Sequence, residues 1–375
     1  MVPNDGASAR ARISGGAPVV HTDLRHTVVA AMSTEAIQHD LLRRSACARS
    51  SLRRACVATA AAWLLAPRVV SSASAAPNSS AHNDRAPAAD KARAADGADD
   101  QPVVVPLVLP TTRIELQFTP NFDAAQRERA TAWVARSADV VTRYFGRFPV
   151  PQLELLLQGT GGNGVRSGAT FGEPMLHVRV KVGRETTADQ YRADWVLVHE
   201  MVHLAVPRVP REHAWLHEGI ATYVESLARA RAGLIDAQVV WRGWVKQMPL
   251  GQPRQGDRGL DHTHTWGRTY WGGAMFCLLS DVRMRQRGSL ARGLQQALQG
   301  VLAAGGDYRV AWPVERILTT ADAALALTTM SQLYRELKDS PSSIDLGALW
   351  RELGVDGETL RDDAPLAAVR RAILA

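Results

Sequence analysis

The sequence predicts an α+β fold, in which a small N-terminal sheet, mixed or antiparallel, is followed by a mainly helical region. Residues 103–109 and 113–118 have the composition of strands, and residues 175–182 alternate strictly between apolar and polar side chains. Beyond residue 182 the apolar side chains recur at helical spacing almost to the end of the chain. Strands that come first and helices that come afterwards argue against a doubly wound sheet, in which the two alternate.

The remaining elements are predicted from the same patterns. Residues 123–145 have helical spacing, and Pro149 and Pro151 end that helix before a short buried strand at residues 153–157. The glycine-rich residues 159–168 lack the Lys-Ser/Thr ending of a phosphate loop, so a hairpin or a mobile loop is predicted there. Further helices are predicted at residues 189–206, 214–232, 236–247, 269–287, 290–304 and 321–338.

The net charge of +7 is concentrated near the N-terminus. Residues 1–76 hold nine arginines against four acidic residues, a net charge of +5, which leaves only +2 of the total +7 for the rest of the chain. Because the rest of the chain is nearly neutral, no nucleic-acid partner is predicted. The hydrophobic fraction of 46% is that of a soluble globular protein.

Residues 1–76 are predicted to be a leader that contains a signal peptide. A basic segment at residues 43–54 precedes an apolar stretch too short to span a bilayer, and the small residues 73–75 form a cleavage site. The basic segment lies far from Met1, so Met32 is an alternative start. A buried or interfacial helix near Trp63 is the alternative to a signal. The leader predicts export to the periplasm or the medium, and a mature chain with no stable membrane span.

The composition of residues 77–101 and the positions of the cysteines lead to two further predictions. Residues 77–101 contain almost no large apolar side chain and are predicted to be a disordered linker. Of the three cysteines, Cys47 and Cys56 lie in the leader, so Cys277 has no internal partner for a disulfide. Because no catalytic pattern surrounds it, Cys277 is predicted to be a packed core residue.

His199-Glu200-Met201-Val202-His203 carries the strongest chemical signal in the sequence. Residues i and i+4 share a helix face, so the two histidines can offer imidazoles to one ion while Glu200 reaches a water held by that ion. With 11 His and 14 Glu in 375 residues, about 0.01 chance matches to this pattern are expected. The flanking residues are apolar, and burying these polar groups is costly unless they are paired or bind a metal. The alternative is two core histidines with a salt-bridged glutamate.

A catalytic zinc site takes three protein ligands and leaves one position open. The segment at residues 215–225, WLHEGIATYVE, follows the first helix and can supply the third ligand. This pair of motifs resembles the gluzincin zinc peptidases related to aminopeptidase N and to the glycyl aminopeptidases. The resemblance implies one Zn²⁺ per chain, Glu218 as the third ligand, and a thermolysin-like catalytic region. His213 and His217 are rival ligands, and Glu225 lies near the face of Glu218.

A second stretch, GRTYWGGA at residues 267–274, resembles the Y-x-x-G-A stretch of these peptidases. The resemblance implies that Tyr270 donates a hydrogen bond to the tetrahedral oxyanion, a donor that the chemistry needs because zinc alone cannot balance the developing charge. The alternative is a tyrosine packed in an aromatic cluster with Trp266 and Trp271. His262 and His264 alternate and could bind a second metal, although a polar loop is favoured there.

The sequence also departs from these families. Fourteen residues separate His203 from Glu218, fewer than in the relatives, and the shorter loop changes the substrate pocket. The G-x-M-E-N motif that binds the substrate amine is replaced by GATFGEP at residues 168–174, where Glu173 could substitute for the missing glutamate. An obligate aminopeptidase is therefore not predicted. Residues 175–182 are predicted to be an edge strand along which an extended peptide pairs.

Together these patterns predict a zinc metallopeptidase that hydrolyses peptide bonds in a peptide or protein substrate. His199, His203 and Glu218 hold the metal, Glu200 is the general base, and Tyr270 is the oxyanion donor. Residues 102–290 are predicted to form the gluzincin catalytic domain and residues 291–375 a C-terminal helical subdomain. The alternatives are another zinc amide or ester hydrolase, or a non-catalytic zinc-containing binding protein.

Overall fold

The computed structural model describes residues 101–375. The predictions for the leader, its signal peptide and the alternative start at Met32 lie outside the described residues, as does the linker apart from Gln101. None of the helices within residues 101–375 combines the length and the apolar composition that a membrane span requires.

The described residues form five strands and eleven α-helices. The strands are β1 Val103–Leu109, β2 Thr112–Phe118, β3 Gln152–Thr160, β4 Val165–Phe171 and β5 His177–Gly183. The helices are α1 Ala124–Phe145, α2 Ala188–Ala193, α3 Val196–His203, α4 Ala214–Arg231, α5 Ala237–Gln247, α6 Gly273–Arg287, α7 Leu294–Ala303, α8 Val314–Leu325, α9 Thr329–Leu337, α10 Leu346–Leu353 and α11 Ala367–Leu374. A π-helical segment, Arg268–Gly272, leads directly into α6.

The five strands form one mixed sheet in the order β1-β2-β3-β5-β4. The two outer pairs, β1 with β2 and β4 with β5, are antiparallel, whereas β3 runs parallel to both β2 and β5. Helix α1 makes the crossover between the parallel strands β2 and β3, and a capping box between Asp123 and Gln126 starts it. A small mixed sheet followed by helices confirms the predicted α+β class.

Of the glycine-rich residues 159–168 only residues 161–164 form a loop, and the predicted hairpin was wrong. Strand β3 extends to Thr160, and β4 begins at Val165 and pairs with β5 instead of returning along β3. The predicted edge strand at residues 175–182 is consequently also wrong, because β5 lies between β3 and β4. Its alternation is confirmed, with Val178, Val180 and Val182 fully buried. The edge of the sheet is β4.

Two helices that were predicted as continuous are each divided. The backbone of Asp194 is extended and its carboxylate accepts hydrogen bonds from the N–H groups of Val196 and Leu197, both at 3.1 Å, which ends α2 and starts α3. The predicted helix 321–338 is divided at residues 326–328, where Ala326 has a left-handed backbone that ends α8. Asp322, within α8, accepts hydrogen bonds from the N–H groups of Met330 and Ser331 at 2.8 and 2.9 Å and so caps the start of α9.

One hydrophobic core connects the sheet with the helices. Phe118 on β2, Trp133 on α1, Leu298 on α7 and Ile373 on α11 all belong to the same cluster of buried side chains. Cys277 lies in this core and is fully buried, as predicted. The domain boundary near residue 290 stays a prediction.

Candidate metal centre

Helix α3 carries both histidines of the motif and is buried along its entire length. Its start is fixed by the carboxylate of Asp194, and its C-terminal carbonyl at Leu204 accepts a hydrogen bond of 3.1 Å from the N–H of Tyr308. The spacing of four residues places the rings of His199 and His203 side by side, with centroids 4.9 Å apart. Both rings are buried.

Helix α4 brings Glu218 to the same place. A Cβ at Gly219 would overlap the backbone of Gly273, so the glycine after Glu218 allows α4 to lie directly against the start of α6. At the beginning of α4, Trp215 donates a hydrogen bond of 2.8 Å from its indole N–H to the buried carboxylate of Asp261. Close backbone packing on one side and a buried hydrogen bond on the other fix the helix that carries Glu218.

The side chains of His199, His203 and Glu218 form a group that fits one metal ion. Their potential ligand atoms all lie within 4.8 Å of one another. Oε2 of Glu218 is 3.2 Å from Nε2 of His199 and 3.5 Å from Nε2 of His203. Two ligands of a tetrahedral zinc ion are about 3.3 Å apart, so these separations match. Two imidazoles and one carboxylate are also the donor set of catalytic zinc sites that keep one position open.

The charges of this group depend on one another. Burial alone would raise the pKa of Glu218, but the adjacent imidazoles of His203 and His199 outweigh it and hold that pKa well below its ordinary value. For His199, burial lowers the pKa, and the neighbouring Glu218 carboxylate more than compensates, so the net pKa is raised. The Glu218 carboxylate is therefore held in its charged form by the two imidazoles beside it.

Strand β4 fixes the carboxylate of Glu200. Thr170 lies with its hydroxyl 2.8 Å from Oε2 of Glu200 and 3.0 Å from the Glu200 carbonyl oxygen. Gly168 shares that face of the strand, and a Cβ there would lie 2.9 Å from Oε1 of Glu200. A residue larger than glycine would displace the carboxylate. Glu200 is 8% exposed, so Thr170 is the main polar contact of this side chain.

Tyr270 lies in the π-helical segment, next to His199. Its ring is nearly parallel to the His199 ring, with centroids 6.2 Å apart, and stacks on Trp266 at 5.8 Å. Tyr270 thus lies next to the metal group, as an oxyanion donor must, and also packs against an aromatic ring, as the alternative predicted. The segment is anchored by Arg268, which pairs with the buried Asp257 at 3.1 Å.

Two rival ligands, His213 and His217, bind other groups. His213 lies 3.1 Å from Asp261, whose charge raises the pKa of the imidazole although burial acts against it. Nδ1 of His217 lies 2.7 Å from Nδ1 of His203, on the side of that ring away from Glu218. Burial, followed by the neighbouring His203, lowers the pKa of His217 to about 3, so this ring is neutral.

Three other side chains that the sequence singled out have partners outside the metal group. Glu225 pairs with Arg229 at 3.3 Å, and burial raises its pKa. The Glu173 carboxylate binds Arg208 at 2.6 Å. Nε2 of His262 lies 2.8 Å from Asp339. Within residues 101–375 there is no second group of three or more potential metal ligands.

Sequence reasoning missed Thr170, Gly168 and Tyr308. The Tyr308 hydroxyl donates a hydrogen bond of 3.2 Å to the Thr170 carbonyl oxygen, and its ring contacts His217 edge-on, with centroids 5.3 Å apart. Burial, and then the charges of Glu200 and Glu218, raise its pKa to about 12. No local motif marks Tyr308, whereas the alternate spacing of Gly168 and Thr170 would have indicated a strand.

Comparisons with known proteins show the fold of the chain and no more. No family model matches it, and no curated protein does. An aminopeptidase N family protein from Idiomarina loihiensis superposes with a TM-score of 0.52 at 13% identity, over 68% of this chain and 49% of that protein. The M1 zinc metallopeptidase from Deinococcus radiodurans gives a TM-score of 0.42 at 16% identity, over 66% of this chain and 53% of its own, which is too low to argue from. The chain therefore spans about half the length of the solved structures it matches, and its fold is that of part of an aminopeptidase N family protein.

Proposed function

We propose that this protein is a zinc-dependent peptidase of the gluzincin type. His199, His203 and Glu218 hold one Zn²⁺ per chain, and Glu200 is the general base. The observation that carries the proposal is the placement of three potential ligand atoms within 4.8 Å of one another on two buried helices. The fold, which resembles part of an aminopeptidase N family protein, is in keeping with this proposal.

When bound, a zinc ion polarises a carbonyl group as a Lewis acid and lowers the pKa of a water molecule. Glu200 accepts the proton of the attacking water and passes it to the leaving amine. Thr170 fixes Oε2 of Glu200 through its hydroxyl, which leaves Oε1 to exchange the proton. Because Glu200 is almost fully buried, its carboxylate does not have to be reoriented during the reaction.

Tyr270 is proposed to donate its phenolic hydrogen to the oxyanion of the tetrahedral intermediate. Its ring lies beside that of His199, on the side of the metal group that also carries the exposed Trp266. A donor held there in advance stabilises negative charge only as it develops.

Strand β4 is proposed to bind the substrate. It is the edge of the sheet, and an extended peptide can pair with its outer backbone groups. Gly168 and Thr170 are on this strand, so a peptide aligned along it passes next to Glu200. Glu173, just beyond the strand, is neutralised by Arg208, and this pairing argues against a dedicated site for a free amine. A peptide or protein substrate is therefore proposed, without a requirement for a free N-terminus.

The variant Glu200→Gln tests this proposal. We expect it to keep one zinc per chain and to lose peptide hydrolysis by about 10²–10⁴-fold, because the amide cannot accept a proton. Zinc is measured by elemental analysis, and hydrolysis with dipeptides, longer peptides and esters. Full activity of the variant would refute the role of Glu200. Cleavage of esters alone would favour another zinc hydrolase, and bound zinc without any hydrolysis would favour a binding protein.

A further inference from the structure

His217 is buried beside the metal group, and the proposed mechanism does not use it. It is adjacent to Glu218 on α4, and its ring contacts one of the three proposed ligands, His203, on the side of that ring away from Glu218. Both of its nitrogens have partners. Nε2 lies 3.3 Å from the carbonyl oxygen of Val206, and Nδ1 lies 2.7 Å from Nδ1 of His203.

These two contacts fix the positions of the ring protons. A carbonyl oxygen only accepts hydrogen bonds, so Nε2 of His217 carries the hydrogen and donates it to Val206. A neutral imidazole has one N–H, which leaves Nδ1 of His217 as an acceptor. Its partner, Nδ1 of His203, must then be the donor. In the neutral imidazole of His203 the lone pair is therefore on Nε2, the nitrogen that lies 3.5 Å from Glu218.

The geometry excludes a shared ion between the two Nδ1 atoms. Two nitrogens bound to one tetrahedral zinc would be about 3.3 Å apart, and 2.7 Å is a hydrogen-bond distance. The acceptor at the end of this chain of hydrogen bonds, the carbonyl oxygen of Val206, lies three residues beyond the end of α3. The ring of Tyr308 packs edge-on against His217 and holds it in place.

We propose that His217 is a positioning residue that fixes the tautomer and the orientation of His203, so that Nε2 of His203 is free to bind the metal. The tautomer follows from the hydrogen bonds alone. Its consequence for metal affinity rests on the proposed zinc site.

The tautomer is measured first, on the zinc-free full chain, by long-range ¹H–¹⁵N correlation spectra of ¹⁵N-histidine protein. We expect a hydrogen on Nδ1 of His203 and on Nε2 of His217. A hydrogen on Nε2 of His203 with none on its Nδ1 overturns the inference. This experiment requires neither a variant nor any activity, so its result does not depend on whether the protein is a peptidase.

Zinc affinity is measured next, by competition with a chromophoric chelator. His217→Phe keeps a ring against Tyr308 but offers no acceptor to His203, and we expect zinc to bind about 10–100-fold more weakly. His217→Gln restores an acceptor and should recover most of this loss. His213→Phe is the matched control, because it removes another hydrogen-bonded histidine of the same region that contacts Asp261 and no proposed ligand.

Unchanged zinc affinity in His217→Phe, or an equal loss in His213→Phe, contradicts the inference. Circular dichroism of each zinc-free variant verifies that it is folded. If His217→Phe is unfolded, the comparison of His217→Gln with the wild type and the tautomer spectrum still decide the question. A wild-type protein that binds no zinc would remove the proposed function but leave the tautomer result intact.

Discussion

The two histidines of the motif, His199 and His203, lie on the same helix but have very different surroundings. The open side, around His199, consists of Trp195, Tyr270 and Trp266; Trp195 and Trp266 are 38% and 47% exposed. Nδ1 of His199 is buried and has no hydrogen-bond partner among the described residues.

The packed side, around His203, consists of His217, Val206 and Tyr308, and hydrogen bonds connect His203 through His217 to Val206. The two histidines therefore have different roles, although the sequence motif does not distinguish them. Groups on the open side are available to a substrate, whereas groups on the packed side act on the protein's own side chains. Each prediction below tests one part of this division.

The largest effect is expected on the open side, from Tyr270→Phe. If the phenol donates to the oxyanion, kcat should fall by about 10²–10³-fold while zinc affinity and KM change little. Steady-state kinetics with a peptide substrate measure both parameters. As the control, Trp266→Phe keeps an aromatic ring against Tyr270 and should retain most of kcat. A Tyr270→Phe variant with the wild-type kcat would assign Tyr270 to packing.

A smaller loss is expected from Thr170→Val, which removes the hydroxyl that holds Oε2 of Glu200. A hydrogen bond to a charged group contributes about 1.5–3 kcal/mol, so kcat should fall by at least about 10-fold with zinc still bound. Thr170→Ser keeps the hydroxyl and should be close to wild type. If Thr170→Val is as active as Thr170→Ser, the hydroxyl has no role at this position.

Variants on the two sides should also differ in their free energy of unfolding. Both His199→Leu and His203→Leu remove a contact with Glu218, but only His203→Leu also leaves Nδ1 of the buried His217 without its donor, since Nδ1 of His199 has no partner within residues 101–375. We expect the zinc-free His203 variant to be less stable than the His199 variant by about 1–2 kcal/mol, the cost of an unsatisfied buried polar group. Urea unfolding of both zinc-free variants measures this difference. Equal stability would mean that the hydrogen bond to His217 contributes nothing to the fold.

The smallest effect on stability is expected from His213, which belongs to neither the open side nor the packed side. Burial lowers its pKa in the folded protein, but the hydrogen bond to Asp261 and the charge of Asp261 together outweigh burial, so the net pKa is raised. The stabilisation is therefore present below the unfolded pKa of about 6.5 and is lost as the pH rises through the folded value. Solvent screening keeps it under about 1 kcal/mol. Thermal unfolding between pH 5 and pH 9 should show this decline in the wild type and not in His213→Gln.

The fold could be predicted from the sequence where one pattern decided the local structure. The capped helix at residues 123–145 and the alternating strand at residues 175–182 are examples, because burial of one face imposes a period on the sequence. Strand β4 was missed because its glycines are typical of a loop, and only its contact with Glu200 explains Gly168. The break at Asp194 was missed because a single capping carboxylate outweighed the continuous helical spacing.

Some residues of the candidate site could likewise be predicted from the sequence, and others could not. His199, Glu200 and His203 follow from a motif on one helix, and Glu218 follows from a second motif. Tyr308 and the contact between His217 and His203 depend on how distant segments pack. Tyr308 lies 90 residues beyond Glu218 in the sequence, and no local signal connects the two.

The most direct test of the zinc site is anomalous diffraction at the zinc absorption edge, from crystals grown with one equivalent of Zn²⁺. The account predicts one ion, bound by Nε2 of His199, Nε2 of His203 and the carboxylate of Glu218, with His217 hydrogen-bonded behind His203. An ion bound elsewhere in the chain, or one that His217 coordinates directly, would contradict it.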